Sequence, residues 1–375
     1  MQVRWRKVLI ADDRYEAAGV ADVNGDGHLD IVSGAWWYEG PGFRKKHFLG
    51  EVRPVFEHFC SFSHIFMDIN GNGRPDFVTG SAWDTGLRWH ENPGRPDEIW
   101  PAHEIAKCEP VERPCAWDVD GDGVLEIVPN MPSGPLTIYK LKTDAEGKGM
   151  GEFTSHTVFE NSQGHGLGAG DIAGNGRCDF VLVNGWLEAP EDPYSGEWIW
   201  HPEFRLYDTG STPMLVVDVN GDGWNDIIVG NGHGYGLDWW EQRRTHGRRE
   251  WVRHPIDPYS SQYHDMRWAD IDGDGESELV TGKRYRAHNG LDPGGLDNVG
   301  IYSFKWNGES FTKQIIDYGP PREATGCGIY FDMADLRGTG RLDIVAPGMD
   351  GLYVFYNEGV NEGNQSGVAY GGRPD

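Results

Sequence analysis

The stretch D-V-N-G-D-G-H-L-D-I-V, residues 22–32, decides the fold. Oxygen-bearing side chains stand at alternate positions, glycines between them permit a sharp turn, and an apolar run follows. One such stretch would read as half of a calcium-binding hand; repeated, it becomes an architecture. Copies begin at Asp68 (DINGNGRPDFV), Asp118 (DVDGDGVLEIV), Asp171 (DIAGNGRCDFV), Asp218 (DVNGDGWNDII), Asp270 (DIDGDGESELV) and Asp335 (DLRGTGRLDIV), seven in all with Asp22. The leading aspartates are 46, 50, 53, 47, 52 and 65 residues apart, the length of a four-stranded propeller blade rather than of a helical or leucine-rich repeat.

Each copy is preceded and followed by apolar residues and then by an aromatic strand such as AWWYE, LRWHEN, LDWWEQ or LYVFYNE. A closing pattern of an aromatic, a few polar residues and an aliphatic ends the units (FRKKHFL, IWPAHEI, FTSHTV, WVRHPI, FTKQII). It also occurs at the start, as WRKVLI from Trp5, before any unit exists for it to close, whereas the last unit stops after LYVFYNE. The reading is an all-β, seven-bladed β-propeller over residues 1–359. Its N-terminal strand completes the last blade, which removes the exposed sheet edge. Residues 360–375 lack a strand pattern and are expected to form a flexible tail.

Composition agrees with this reading. The 375 residues include 54 Gly and 16 Trp, which suits tight turns between short aromatic strands. A net charge of -26 makes nucleic acid and anionic membrane surfaces poor partners, and no apolar run reaches the length of a signal-peptide core or a membrane span. Five cysteines without a CxxC pair suit reduced thiols in a cytoplasm, with export of a processed chain as the alternative.

Hard oxygen donors at this spacing suit calcium. A structural calcium ion is expected on Asp22, Asn24, Asp26 and Asp30; on Asp118, Asp120, Asp122 and Glu126; on Asp218, Asn220, Asp222 and Asp226; and on Asp270, Asp272, Asp274 and Glu278. Amides replace two acids in the Asp68 copy, and Ala173, Arg337 and Thr339 remove donors from the fourth and seventh. The alternative is that Asp and Asn cap the turn through backbone N–H groups without metal. Either way these hairpins are structural, and chemistry belongs elsewhere.

A hairpin joins a blade's innermost strand to its second. Residues five or six positions before each leading Asp, and 12 to 18 after it, should therefore meet at the far mouth of the central channel. Those positions hold His64, His165 and His264, then Trp83, Trp186, Glu188, His233, Lys283, Arg284, Tyr285 and His288. His47, His103, His156 and His254 sit in the closing pattern and read as structural, and His28 as a solvated hairpin residue. Imidazoles beside Lys and Arg suit proton abstraction next to a carbonyl. Three or four histidines could instead hold a catalytic divalent metal, with Glu188 as ligand or base. No nucleophile elbow or nucleotide-binding motif is present.

The repeated D-x-N/D-G-D/N-G-x-x-D/E unit resembles the FG-GAP or VCBS repeat propellers. GHGLGAGD…NGWLEAP and QYHDMRWADIDGDGESELVTGKRYRAHNGLDPG are further similar to the propeller of the aldos-2-ulose (1,5-anhydrofructose) dehydratases and their bacterial relatives. That resemblance implies elimination of water from an oxidised sugar, metal ions in the protein, and a sugar site with His165, Trp186, Glu188, His264, Lys283, Arg284 and His288. The family's cupin-like C-terminal region has no counterpart in these 375 residues. The leading expectation is a lyase of the dehydratase type acting by β-elimination on a keto-sugar, with catalytic His165, His264, Lys283, Arg284 and His288 and substrate held by His64, Trp83, Trp186, Glu188, His233 and Tyr285. The alternatives are a uronate-polysaccharide lyase and a non-catalytic propeller that binds a glycan or protein.

Overall fold

The computed structural model describes residues 2–360, so the tail expected beyond the last strand lies almost wholly outside the described residues. The chain is all-β and built of antiparallel four-stranded sheets, an arrangement consistent with a β-propeller. Innermost strands, in chain order, are Ala18–Ala21, Ile65–Met67, Arg113–Trp117, Gly168–Gly170, Met214–Val217, Tyr263–Ala269 and Asp332–Ala334. Three strands follow each of the first six, whereas only two follow the seventh, Asp343–Ala346 and Leu352–Val360. The N-terminal strand Val3–Ala11 supplies the missing one, with Lys7 opposite Phe355 and Val8 opposite Val354. The fourth and fifth units share an eight-stranded sheet, because Gly168 and Ala169 pair in parallel with Met214 and Leu215.

The second strands explain how the units pack. Two successive residues point to opposite faces of a sheet, and here both faces are covered, so both residues must be apolar. In the first unit they are Ile31 and Val32: Ile31 packs with Val345 of the seventh unit, Val32 with Phe77 of the second. The pattern continues as Val78 with Ile127, Val128 with Phe180, Val181 with Ile227, Ile228 with Leu279, and Val280 with Ile344. Each of these clusters joins one unit to the next. Among the described residues no helix is long and apolar enough to cross a membrane.

Within each hairpin the carboxylates satisfy backbone donors. The leading Asp accepts the N–H of the glycine five residues on in every copy, from Gly27 on Asp22 to Gly340 on Asp335. The intervening glycines adopt left-handed backbone, Gly25 at φ +72° and Gly27 at φ +87°, where a side chain would be strained. The ninth position is turned inward. Asp30, Glu126, Asp226 and Glu278 are buried and accept the N–H of Val23, Val119, Val219 and Ile271. Burial pushes the Asp30 carboxyl up to about 6 and that of Asp226 to about 7.

Two of the expected calcium loops also hold a lysine. The Lys140 ammonium contacts Asp120, Asp122 (2.8 Å) and Glu126 (3.2 Å), and the Lys305 ammonium contacts Asp272 (3.0 Å), Asp274 (2.5 Å) and Glu278 (2.7 Å). A lysine side chain thus supplies positive charge at the loops led by Asp118 and Asp270, where Asp118, Asp120 and Asp122, and likewise Asp270, Asp272 and Glu278, also bring three carboxylate oxygens within 4.8 Å of one another. At the Asp22 and Asp218 loops the Asn24 and Asn220 amides donate to Asp26 (3.0 Å) and Asp222 (3.3 Å).

Candidate functional site

At the strand ends remote from the hairpins, Glu112, His165, His233 and His264 direct one ligand atom each into a space where all four atoms lie within 4.8 Å of one another. Glu112 immediately precedes the third innermost strand, His165 lies just before the fourth, His264 is the second residue of the sixth, and His233 follows the second strand of the fifth unit. His165 Nε2 is 3.0 Å from His233 Nε2 and 3.4 Å from Glu112 Oε1, and His264 Nε2 is 3.0 Å from the same oxygen.

The other ring nitrogens fix the protonation. His165 Nδ1 lies 2.9 Å from the Gly210 carbonyl oxygen, which can only accept, so Nδ1 carries the hydrogen. His233 Nδ1 lies 2.7 Å from Asp292 Oδ2 and donates there. Neutral His165 and His233 would thus face each other with two lone pairs at 3.0 Å, an arrangement stable only with a cation between them, either a proton or a metal ion. Burial opposes charge on His165, but the Glu112 carboxylate and the Gly210 bond raise its pKa above the ordinary value. Burial pushes His264 down to about 3 despite its bond to Glu112, so this ring is neutral.

Around this core stand two supporting pairs. Arg284 Nε donates to Glu16 Oε1 at 2.8 Å, and the other Glu16 oxygen meets His58 Nδ1 at 2.7 Å. Burial would raise the Glu16 carboxyl, yet Arg284 and His58 hold it at about 2. His288 stacks on His233 with ring centroids 4.3 Å apart, and its Nδ1 lies 2.9 Å from Asp292 Oδ1. His288 and Asn289 have φ of +47° and +59°, a left-handed turn that non-glycine residues adopt at a cost. His288 is exposed, whereas His264 is fully buried.

The structure thus gathers His165, His233, His264, Arg284 and His288, and separates the rest. Trp83 is adjacent, its ring 4.9 Å from His58. Lys283, one residue from Arg284, points to the other face of the strand and donates to Ser261 Oγ (2.9 Å), Gln262 Oε1 (2.8 Å) and the Gly294 carbonyl. Tyr285 is half-buried beside Arg286. His64 lies at the correct end of its strand but packs on Phe77, 4.8 Å between rings, with neither ring nitrogen partnered.

Trp186 and Glu188 are the largest correction. Trp186 is fully buried and stacks on His201 at 4.2 Å, whose Nε2 meets Glu188 at 3.0 Å. The same device occurs as Trp37, His47 and Glu39 (4.1 and 3.1 Å), as Trp89, His103 and Glu91 (4.4 and 2.9 Å), and as Trp239, His254 and Glu241 (4.5 and 2.7 Å). These tryptophans and glutamates sit two residues apart on outer strands, as W-x-E, and belong to the scaffold.

Sequence reasoning missed Glu16, Glu112, His58 and Asp292. Glu16, Glu112, His165 and His264 all stand six residues before a leading Asp; reading that offset for carboxylates as well as histidines would have found both glutamates.

Comparison with known proteins agrees with the architecture. The family model of the FG-GAP-like repeat matches residues 218–281, from the hairpin that follows the innermost strand of the fifth unit into the second strand of the sixth. None of the curated proteins compared matches the chain. Among solved structures it is similar to the exotype rhamnogalacturonan lyase YesX, with 12% identity over 94% of this chain and 73% of that one and a TM-score of 0.51. It is similar also to BBS1N in complex with ARL6DN, with 10% identity over 95% of this chain and 98% of that one and a TM-score of 0.51. At these identities the likeness concerns the fold alone.

Proposed function

We propose that the seven units close into a seven-bladed ring, and that its histidine rim binds a divalent transition metal and catalyses β-elimination on a keto-sugar. Ring closure is supported by the N-terminal strand on Leu352–Val360 and by the cluster that joins Val345 to Ile31. The observation that carries the chemistry is the convergence of three imidazole nitrogens and one carboxylate oxygen with two lone pairs opposed.

The donor set fits such an ion. Bond lengths of about 2.0–2.1 Å in a tetrahedral site separate neighbouring ligand atoms by roughly 3.3 Å; three of the six pairs here lie at 3.0–3.4 Å and the others within 4.8 Å. Three nitrogens and one oxygen favour zinc, iron or manganese over calcium. His165, His233, His264 and Glu112 would hold it, and Gly210 and Asp292 already orient two of the rings. When bound, the ion supplies Lewis acidity towards a carbonyl oxygen.

The chain's own residues supply the rest. His288 is the base: its Nδ1–H on Asp292 leaves Nε2 basic and exposed at the mouth. Nε2 takes the proton from the carbon next to the carbonyl, a carbon–carbon double bond forms, and the C–O bond of the next carbon breaks. The same proton returns to the departing oxygen, so water leaves and nothing is oxidised or reduced. Arg284 is buried, with Nε and Nη2 on Glu16 and Nη1 4.0 Å from Glu112, and these two carboxylates already neutralise it, which disfavours the alternative in which it pairs with a uronate carboxylate.

The similarity of GHGLGAGD and QYHDMRWAD to the aldos-2-ulose dehydratases supports the same reaction class. The test is incubation of the metal-loaded protein with 1,5-anhydrofructose and 3-keto-glycosides, following absorbance of the new conjugated double bond. Product formed by wild type and His103→Ala, but not by His165→Ala or Glu112→Gln, supports the rim. If no keto-sugar is turned over, the non-catalytic glycan- or protein-binding propeller replaces this reading. Structural calcium at the Asp22 and Asp218 loops is a separate proposal, checked by whether added calcium raises Tm in wild type but not in Asp22→Ala.

A further inference from the structure

Exposed aromatic and apolar side chains concentrate around the connection that carries His288 and Asp292. Tyr259 is 87% and Tyr318 56% exposed, and Tyr235, Leu291 and Leu296 are exposed beside them. Tyr259, Tyr318 and Leu296 border a pocket of about 390 Å³ that is also lined by Tyr302, Ser260, Asp297 and Asn298, within the usual size of a small-molecule site. Its inner wall is braced. Lys283 reaches Ser261, Gln262 and the Gly294 carbonyl, so its three N–H groups are all used and it acts as a strut. Tyr235 Oη donates to Asp297 at 2.6 Å, fixing that carboxylate.

The chemistry of this wall is specific. Tyrosine rings offer apolar faces suited to the C–H face of a pyranose, while a carboxylate, an amide and a hydroxyl at the edge suit its hydroxyl groups. Lys313 covers one face of Tyr302, 3.7 Å from the ring centroid, which leaves Tyr259 and Tyr318 as the open platforms. The Asp297 carboxylate at the wall and the net charge of -26 disfavour an acidic sugar.

The pocket adjoins the histidine cluster through three chain segments. Arg284 serves the cluster and Lys283 the pocket; His233 serves the cluster while Tyr235 anchors Asp297; Asp292 and Asp297 divide in the same way. In the first two segments the paired residues are one and two positions apart, a backbone span of at most about 7 Å, and in the third Asp292 and Asp297 are five apart.

We propose that this pocket is a subsite for a neutral sugar ring next to the cluster, so that the chain takes a saccharide of at least two rings, one at the histidines and one against Tyr259 and Tyr318. The proposal rests on the carbohydrate reading above. The test is saturation-transfer NMR of the metal-loaded full chain with lactose, cellobiose and sucrose, comparing wild type, Tyr259→Ala/Tyr318→Ala and His103→Ala. At least one disaccharide should bind wild type and His103→Ala alike, and the double variant should bind about tenfold more weakly from the loss of two ring contacts, with unchanged Tm. For turnover, the double variant should raise KM for 3-ketolactose without lowering kcat, and leave methyl 3-keto-glucoside unaffected. Equal binding by the double variant, or no binding of any of the three disaccharides, overturns the subsite. Disaccharide binding without turnover of any keto-sugar keeps the subsite and removes the lyase reading instead.

Discussion

Histidine, glutamate and tryptophan are used in two ways in this molecule. On the outer strands they form four copies of one device, in which an imidazole is stacked on an indole and bonded to a glutamate two residues along. At the strand ends remote from the hairpins they occur once, assembled from separate units, with lone pairs opposed and the far ring nitrogens committed as donors. In a repeat protein each unit solves the same packing problem, so whatever recurs in register belongs to the scaffold. Residues that break the repetition and still converge need another explanation.

The sharpest way to break this contrast is to exchange one carboxylate of each kind. Glu112→Gln removes the oxygen that faces both His165 and His264, and turnover should fall on the order of a thousandfold, together with bound transition metal measured by mass spectrometry. Glu188→Gln should leave both unchanged. Equal losses in the two variants would place the glutamates in one functional class and remove the basis of the site.

The scaffold side gives the next largest effect. Asp179 is buried and accepts the N–H groups of Ile172, Ala173 and Ala189. Asp179→Ala should cost about 3 kcal/mol or more in denaturant unfolding, since it strands three backbone donors. A loss below 1 kcal/mol would mean that water reaches these donors and that the ninth position is not the hairpin's lock.

These examples show what the sequence could carry. Hairpins were legible because glycine at fixed offsets and a carboxylate at each end answer a backbone requirement that is the same in every unit. The mouth was legible only in part. His165, His264 and His233 were found because chain distance from the hairpin is a linear measure along extended strands. Lys283 was misplaced because that measure gives height on a strand but not which face a side chain takes, and a one-residue step reverses the face; Trp186 and Glu188 were misplaced because the second strand of their unit ends at Leu182 and a short turn already puts them on the third, Gly185–Glu188. Lys140 and Lys305 could not be foreseen at the hairpins, since each arrives from the third strand of its unit, opposite the ninth position.

His64 tests the contrast through pH. Its ring is fully buried without partners, and burial, with a smaller contribution from His90, holds its pKa at about 3 against an ordinary value of 6.5. The unfolded chain therefore binds the proton first. The titration of His64 adds almost nothing well above pH 6.5 and destabilises the fold progressively as pH falls from 6.5 towards 3. Relative to wild type, His64→Phe should gain about 2 kcal/mol between pH 7 and pH 5, read as the change in unfolding free energy difference. No change in that difference would show that the ring is protonated in the folded state and partnered, which would restore it to the site.

The smallest effect tests the comparison most directly, because it asks whether the four outer devices behave as one. His201→Ala removes a stacked ring and one hydrogen bond from a side chain 27% exposed, worth about 1 kcal/mol. Exposure of the equivalent rings is 3% for His47, 37% for His254 and 42% for His103, so solvent should attenuate the loss in the order His47, His201, His254, His103. Turnover should be unaffected in all four variants at temperatures well below Tm. Should His201→Ala alone abolish turnover while the other three retain it, the fourth device would be more than a repeat, and Trp186 and Glu188 would return to the substrate.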